Sequence, residues 1–197
     1  MELTQAQEER SAPVETEPTA LGYVRALPRN AQLAVASAAG AAVVGSFIRF
    51  GLSGRAAVSA VFAAVLVLLS AIDFQRRLIP NVIVLPTLVV VLAAQIALFP
   101  HRTVEWVLAS LGAALFFFLP LLVYPAGMGM GDVKLAALLG AALGKSVIAA
   151  VIVGLLSAAV FGLVVLLREG LGSRKKAFAY GPFLAFGGLL VLFLGGR

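Results

Sequence analysis

Asp73 and Asp132 are the only aspartates among the 197 residues, and each stands at the edge of an apolar run. Two carboxyl groups can do hydrolytic chemistry if they come close enough to share a proton. Like charges about 3 Å apart cannot both ionise, so one partner stays protonated. The ionised partner takes a proton from water, the protonated one polarises the scissile carbonyl, and the pair titrates as a unit. Such a site needs no cofactor and no metal. The run Gly127-Met-Gly-Met-Gly-Asp132 adds glycines beside one acid, which would let extended substrate backbone approach closely. Other chemistries lack their residues. Cysteine is absent, which removes thiol nucleophiles, disulfides and Cys-ligated zinc. The single histidine, His101, argues against a His-based metal set or a Ser-His-Asp triad.

The elements that must position these acids are set by composition. The chain is 61% hydrophobic and 12% charged, with a mean hydropathy of +1.05. Soluble domains run at about 45–50% apolar and about 25% charged. The contrast excludes an ordinary soluble enzyme, a disordered chain and a soluble nucleic-acid binder. What remains is an all-α, polytopic helical protein whose first partner is the lipid bilayer. The high pI, near 10.3, is read as basic residues setting membrane orientation, so no nucleic-acid partner is expected.

A span needs about 20 apolar residues. Ala31–Phe50, Ala56–Ile72, Ile79–Phe99, Trp106–Tyr124, Ser146–Leu167 and the shorter Gly181–Gly195 fit. Val133–Leu143 is short, and spans only if its helix begins near Gly129 with Asp132 inside the membrane edge. The reading is therefore seven spans, with six as the fallback. Residues 1–30, rich in Glu and Pro, read as a disordered or weakly helical cytoplasmic tail without signal-peptide character, and 31–197 as the transmembrane domain. With the tail inside, the inner connections hold Arg25, Arg29, Arg76, Arg77, Lys134, Arg168, Arg174, Lys175 and Lys176. The outer ones hold Arg49, Arg55, Arg102, Lys145 and Arg197. That bias favours the tail inside and places both aspartates near the cytoplasmic face. Trp106 and Tyr124 read as interfacial anchors.

Each feature has a plainer reading. Asp73 can pair with Arg76 or Arg77 at the interface, and Asp132 can cap the helix that follows. Pro80 can open a helix at its first position. Lys134 reads as a headgroup-facing side chain, and His101 and Glu105 as surface residues. Two other functions stay open on the residues alone: a small ion-coupled transporter, since intramembrane acids also serve relays, and an inactive assembly protein of a pilus machine.

Three segments carry a family resemblance. Asp73-Phe-Gln-Arg-Arg-Leu-Ile-Pro-Asn81 resembles the first catalytic segment of the type IV prepilin peptidases. Gly129-Met-Gly-Asp-Val-Lys-Leu-Ala-Ala-Leu-Leu-Gly140 resembles their GxGD segment, and Tyr180-Gly-Pro-Phe-Leu-Ala-Phe-Gly187 their last-helix segment. The resemblance covers residues 31–195. It implies an intramembrane aspartic endopeptidase of a bacterial inner membrane, which removes the leader of prepilins or pilin-like proteins at the cytoplasmic face. It carries Asp73 and Asp132 over as the catalytic pair and Gly129 and Gly131 as motif glycines. For Pro80, Asn81, Gly181 and Pro182 it implies at most a structural role. Larger members also N-methylate the new terminus and carry a cysteine-bearing segment. The chain resembles the reduced, peptidase-only type, so no methyl transfer is expected. The oligomeric state is not indicated.

Overall fold

The structure is a computed structural model that describes residues 18–123, 129–169 and 179–195. Five features of the sequence reading fall outside these residues: the tail before residue 18, Tyr124, Gly127, the basic run 174–176, and Arg197.

The described residues form helices and contain no strand. A short helix α1 (Ala20–Arg25) precedes seven long ones: α2 (Arg29–Phe50), α3 (Gly54–Arg76), α4 (Asn81–Leu98), α5 (Thr103–Val123), α6 (Met130–Leu143), α7 (Val147–Glu169) and α8 (Gly181–Leu194). These correspond to the seven expected apolar runs. The stretches 29–50, 54–76, 81–98, 100–123 and 130–168 are each apolar and long enough to cross a bilayer, and α8 is a shorter apolar helix. The stretch 130–168 doubles back. Its helices α6 and α7 are joined only by a single 3₁₀ turn, Gly144–Ser146.

The helices alternate in direction, so the bundle has two distinct ends. Asp73 near the end of α3 meets the start of α8, and Asn81 at the start of α4 meets the start of α6. At the other end, Gly54 at the start of α3 lies against Leu98 at the end of α4. There Arg49 also donates to the Gly195 carbonyl beyond α8, at 2.9 Å.

One of the two shortest spanning helices is the most enclosed. Helix α6 has 14 residues, about 21 Å of rise, and is buried throughout from Leu135 to Leu143. Lipid-facing helices look the opposite way round. Helix α2 buries only Ser46, while α5 and α7 expose Leu108, Leu115, Ile148, Leu156 and Leu163. In a bilayer, apolar outer faces cost nothing, and polar side chains turn inward to find partners. Gln95 of α4 donates to the Ala142 carbonyl and Ser110 of α5 to the Ala137 carbonyl, each at 2.9 Å. Both bonds fasten neighbours onto α6. Gly140 lets α5 approach closest, since a Cβ there would run into the backbone of Ala109.

Before α2, the helix α1 is capped by Thr19, whose hydroxyl accepts from the Gly22 N–H at 3.3 Å. Tyr23 and Leu27 are buried in the core, and Arg76 lies over the Tyr23 ring, 5.8 Å from its centroid. The segment just before the first span is thus fastened at the aspartate-bearing end.

Candidate active site

Asp73 occupies the last turn of α3. That helix ends at Arg77, which takes a left-handed conformation (φ 53°) while its N–H closes onto the Asp73 carbonyl at 2.8 Å. A non-glycine residue in that region is uncommon and holds the turn after the acid in one shape. The Asp73 side chain is buried and accepts a hydrogen bond from the Gly181 N–H at 3.0 Å. The pairing with Arg76 considered above is not formed, because Arg76 turns to Tyr23.

Asp132 is the third residue of α6, not its cap. Gly129 is the cap, and Asp132 Oδ2 reaches back to accept the Gly129 N–H at 3.2 Å. This is half of a capping box, satisfying one donor that the helix start leaves open. Asp132 is also buried. Asp73 and Asp132 stand at the same end of the bundle, on helices that α4 and α8 tie together there. Each carboxylate therefore accepts one backbone N–H in a buried setting.

The other motif residues close around the pair. Pro80 is fully buried and caps α4 from outside, its carbonyl accepting from Ile83 and Val84; Asn81, not Pro80, is the first helical residue. Asn81 Oδ1 accepts from Lys134 Nζ at 2.5 Å, which ties the start of α4 to the start of α6. Gly131 presses on Ile79, where an added Cβ would come within 2.9 Å of the Ile79 Cβ. Gly181 is tighter still: a Cβ there would stand 2.5 Å from Asp73 Oδ2. Pro182 follows in the first turn of α8. Segments around residues 73–81, 129–134 and 180–182, far apart in the chain, thus meet at one end of the bundle.

Two contacts escaped the sequence. Lys134 was read as facing the headgroups, yet it holds Asn81. Its place two residues after Asp132 was the only available signal. Gly181 was read as structural, yet its backbone N–H is the donor to Asp73, and a backbone donor leaves no mark in side-chain types. A groove of about 580 Å³ opens between α2, α3 and α8, next to the last turn of α3 that carries Asp73. Phe74 and Gln75 from the turn after Asp73 line it together with Pro182, and Ala34, Ala71 and Ala185 keep it wide.

The sequence matches a described group of proteins. The sequence profile of the type IV leader peptidase family fits residues 60–167, which include both aspartates. The chain belongs to this family. It is 33% identical over 164 residues to a prepilin leader peptidase/N-methyltransferase of Burkholderia pseudomallei (strain 1026b), covering 80% of this chain and 53% of that protein. To the protein of the same name from Bacillus subtilis (strain 168) it is 33% identical over 152 residues, 75% of this chain and 60% of the relative. The Xanthomonas campestris pv. campestris counterpart is 31% identical over 163 residues, 77% and 55% of the two chains. The chain spans about half the length of these curated relatives. No solved structure matches it.

Proposed function

We propose that this chain is a membrane-embedded aspartic endopeptidase that cleaves the leader from type IV prepilins or pilin-like proteins. Asp73 and Asp132 act as one unit on an activated water, at the cytoplasmic face of a bacterial inner membrane. The observation that carries the reading is the meeting of three distant segments, two of them bearing a buried aspartate, at one end of the bundle. Buried acids in a membrane protein are costly and mark function by default. In this reading the carboxylate that holds the negative charge draws the proton from water, and the other donates to the carbonyl oxygen of the scissile peptide. The N–H groups of Gly181 and Gly129 fix the two carboxyl groups in place. Lys134 and Asn81 lock α4 to α6, so the two acids keep their separation. The groove beside Phe74 and Pro182 would seat the apolar segment that follows the leader, and a helix of that kind finds small residues along it. An ion relay is less well supported, since such acids belong near the midplane of broken helices, and these stand at helix ends.

The deciding experiment is co-expression with a prepilin, followed by gel shift and N-terminal sequencing. Wild type should process it, while Asp73→Asn and Asp132→Asn, at equal membrane levels, should not. Processing that survives either change sinks the two-aspartate mechanism. We further propose that these residues carry no methyl transfer. Purified protein with S-adenosylmethionine should then leave the mature pilin unmodified, and a gain of about 14 Da in intact mass would overturn that.

A further inference from the structure

The end of the bundle away from the aspartates carries a second polar enclosure. It is a cavity of about 380 Å³ bordered by α2, α3, α4, α5, α6 and the end of α8. Four basic residues line it: Arg49, Arg55, Arg102 and Lys145. One acid, Glu105, offsets part of this charge. It accepts two bonds from Arg102, at 2.7 and 3.0 Å, and one from the Lys145 N–H at 3.2 Å. The cavity wall stays strongly cationic.

Three residues of this lining each carry a buried polar atom without a hydrogen-bond partner among the described residues. These atoms are Arg49 Nε, Trp106 Nε1 and Gln95 Oε1. Gln95 is 6% exposed and Trp106 5%. Leaving such groups unpaired costs about 1–3 kcal/mol each. The set consists of two N–H donors, one acceptor and a surplus of positive charge. A phosphate that carries a neighbouring hydroxyl answers all of it: oxygens for the donors and cations, a hydroxyl for Gln95. The sequence reads Trp106 as an interfacial anchor and Glu105 as a surface residue. Both instead turn into this cavity.

A second feature identifies what brings the phosphate. Lys145 also borders an apolar groove of about 530 Å³ on the outer side of the bundle. Leu108, Gly112 and Phe116 of α5 and Ile148, Ile152 and Leu155 of α7 form its walls. Gly112 opens it, since a Cβ there would meet nothing within 4 Å. A cationic, hydroxyl-ready cavity joined through one lysine to an apolar trough has the shape of an amphiphile. We propose that this end of the bundle binds an anionic phospholipid, its phosphate in the arginine-lined cavity and an acyl chain along the α5–α7 groove. Basic pockets between membrane helices suit anionic headgroups.

The test uses the full chain purified in detergent and stripped of lipid. Retention by native mass spectrometry and thermal midpoint are measured with phosphatidylglycerol, phosphatidylcholine or inorganic phosphate. Phosphatidylglycerol should be retained and should raise the midpoint, while the other two should do neither. Arg55→Gln, at an exposed residue, should weaken its binding about fivefold. Gly112→Leu should fill the groove and weaken it as well, with the midpoint of the lipid-free protein unchanged or raised. Equal effects of phosphatidylcholine would mean unspecific lipid, and equal effects of inorganic phosphate would mean a free-anion site. Either result overturns the proposal, as does unchanged affinity in either variant.

Discussion

The two ends of the bundle hold polar groups in opposite ways. At the aspartate end, the buried acids each accept a backbone N–H, and Lys134 and Asn81 satisfy one another. At the arginine end, basic residues border a cavity whose lining residues Arg49, Trp106 and Gln95 each keep a buried polar atom without a partner among the described residues. A closed network rigidifies, because every group would lose a bond by moving. An open one is poised to receive a ligand. The difference suggests that the first end is built for fixed geometry and the second for occupancy. Helix α6 joins them, since Asp132 lies in its first turn and the Gln95 bond to Ala142 lies near its far end.

That contrast can be broken most forcefully at the acids. Asp73→Asn and Asp132→Asn each keep size but cannot cycle a proton, so the cleavage rate of a purified prepilin should fall about 10³-fold or more. Because the pair acts as one unit, the double variant should be no worse than either single one. Rates that multiplied in the double variant would show that the acids work separately.

Gly181→Ala should come next. The added methyl stands where Asp73 Oδ2 now lies, and crowding of this kind costs about 1–3 kcal/mol. The expected outcome is a cleavage rate down by about 10- to 100-fold, because the acid itself is pushed aside. An alanine enzyme with full activity would separate the Gly181 contact from catalysis. Lys134→Met should lower the rate less, by about tenfold, through loss of a charge-assisted bond to Asn81 of about 1.5 kcal/mol. Asn81→Ala should have a similar effect, and the double variant should show that the two losses do not add.

The smallest effect belongs to the helix interior between the two ends. Ser110→Ala removes the bond to the Ala137 carbonyl, which should cost about 0.6 kcal/mol. A slightly lower thermal midpoint with unchanged prepilin cleavage is expected. A loss of cleavage as large as that of Gly181→Ala would mean that α6 transmits strain along its whole length.

Much of this protein was legible before any coordinates. Hydropathy located the seven apolar runs, because bilayer thickness imposes one length on every span. The ends shifted by a few residues: Ala56–Ile72 grew to Gly54–Arg76, since a helix continues past the apolar stretch as long as its backbone bonds can close. The two aspartates were conspicuous because a membrane chain carries so few acids, and the three motif segments were local enough to read. Pro80 and Asp132 were each assigned to a helix start, one position or a few away from where they act.

What the sequence could not supply was which side chain meets which. Apolar helices bury equally well in many arrangements, so periodicity says little about neighbours when lipid accepts any apolar face. Tertiary contact alone turned Lys134 toward Asn81, put the Gly181 N–H on Asp73 and drew Arg76 to Tyr23. It alone turned Trp106 and Glu105 inward beside Arg49 and Gln95. Spans and acids follow from local composition, because the cost of burying a charge or an unpaired backbone in lipid applies residue by residue. Partners follow only from the packing of α6 among its neighbours, because a hydrogen bond between distant segments exists only once the helices that carry them have met.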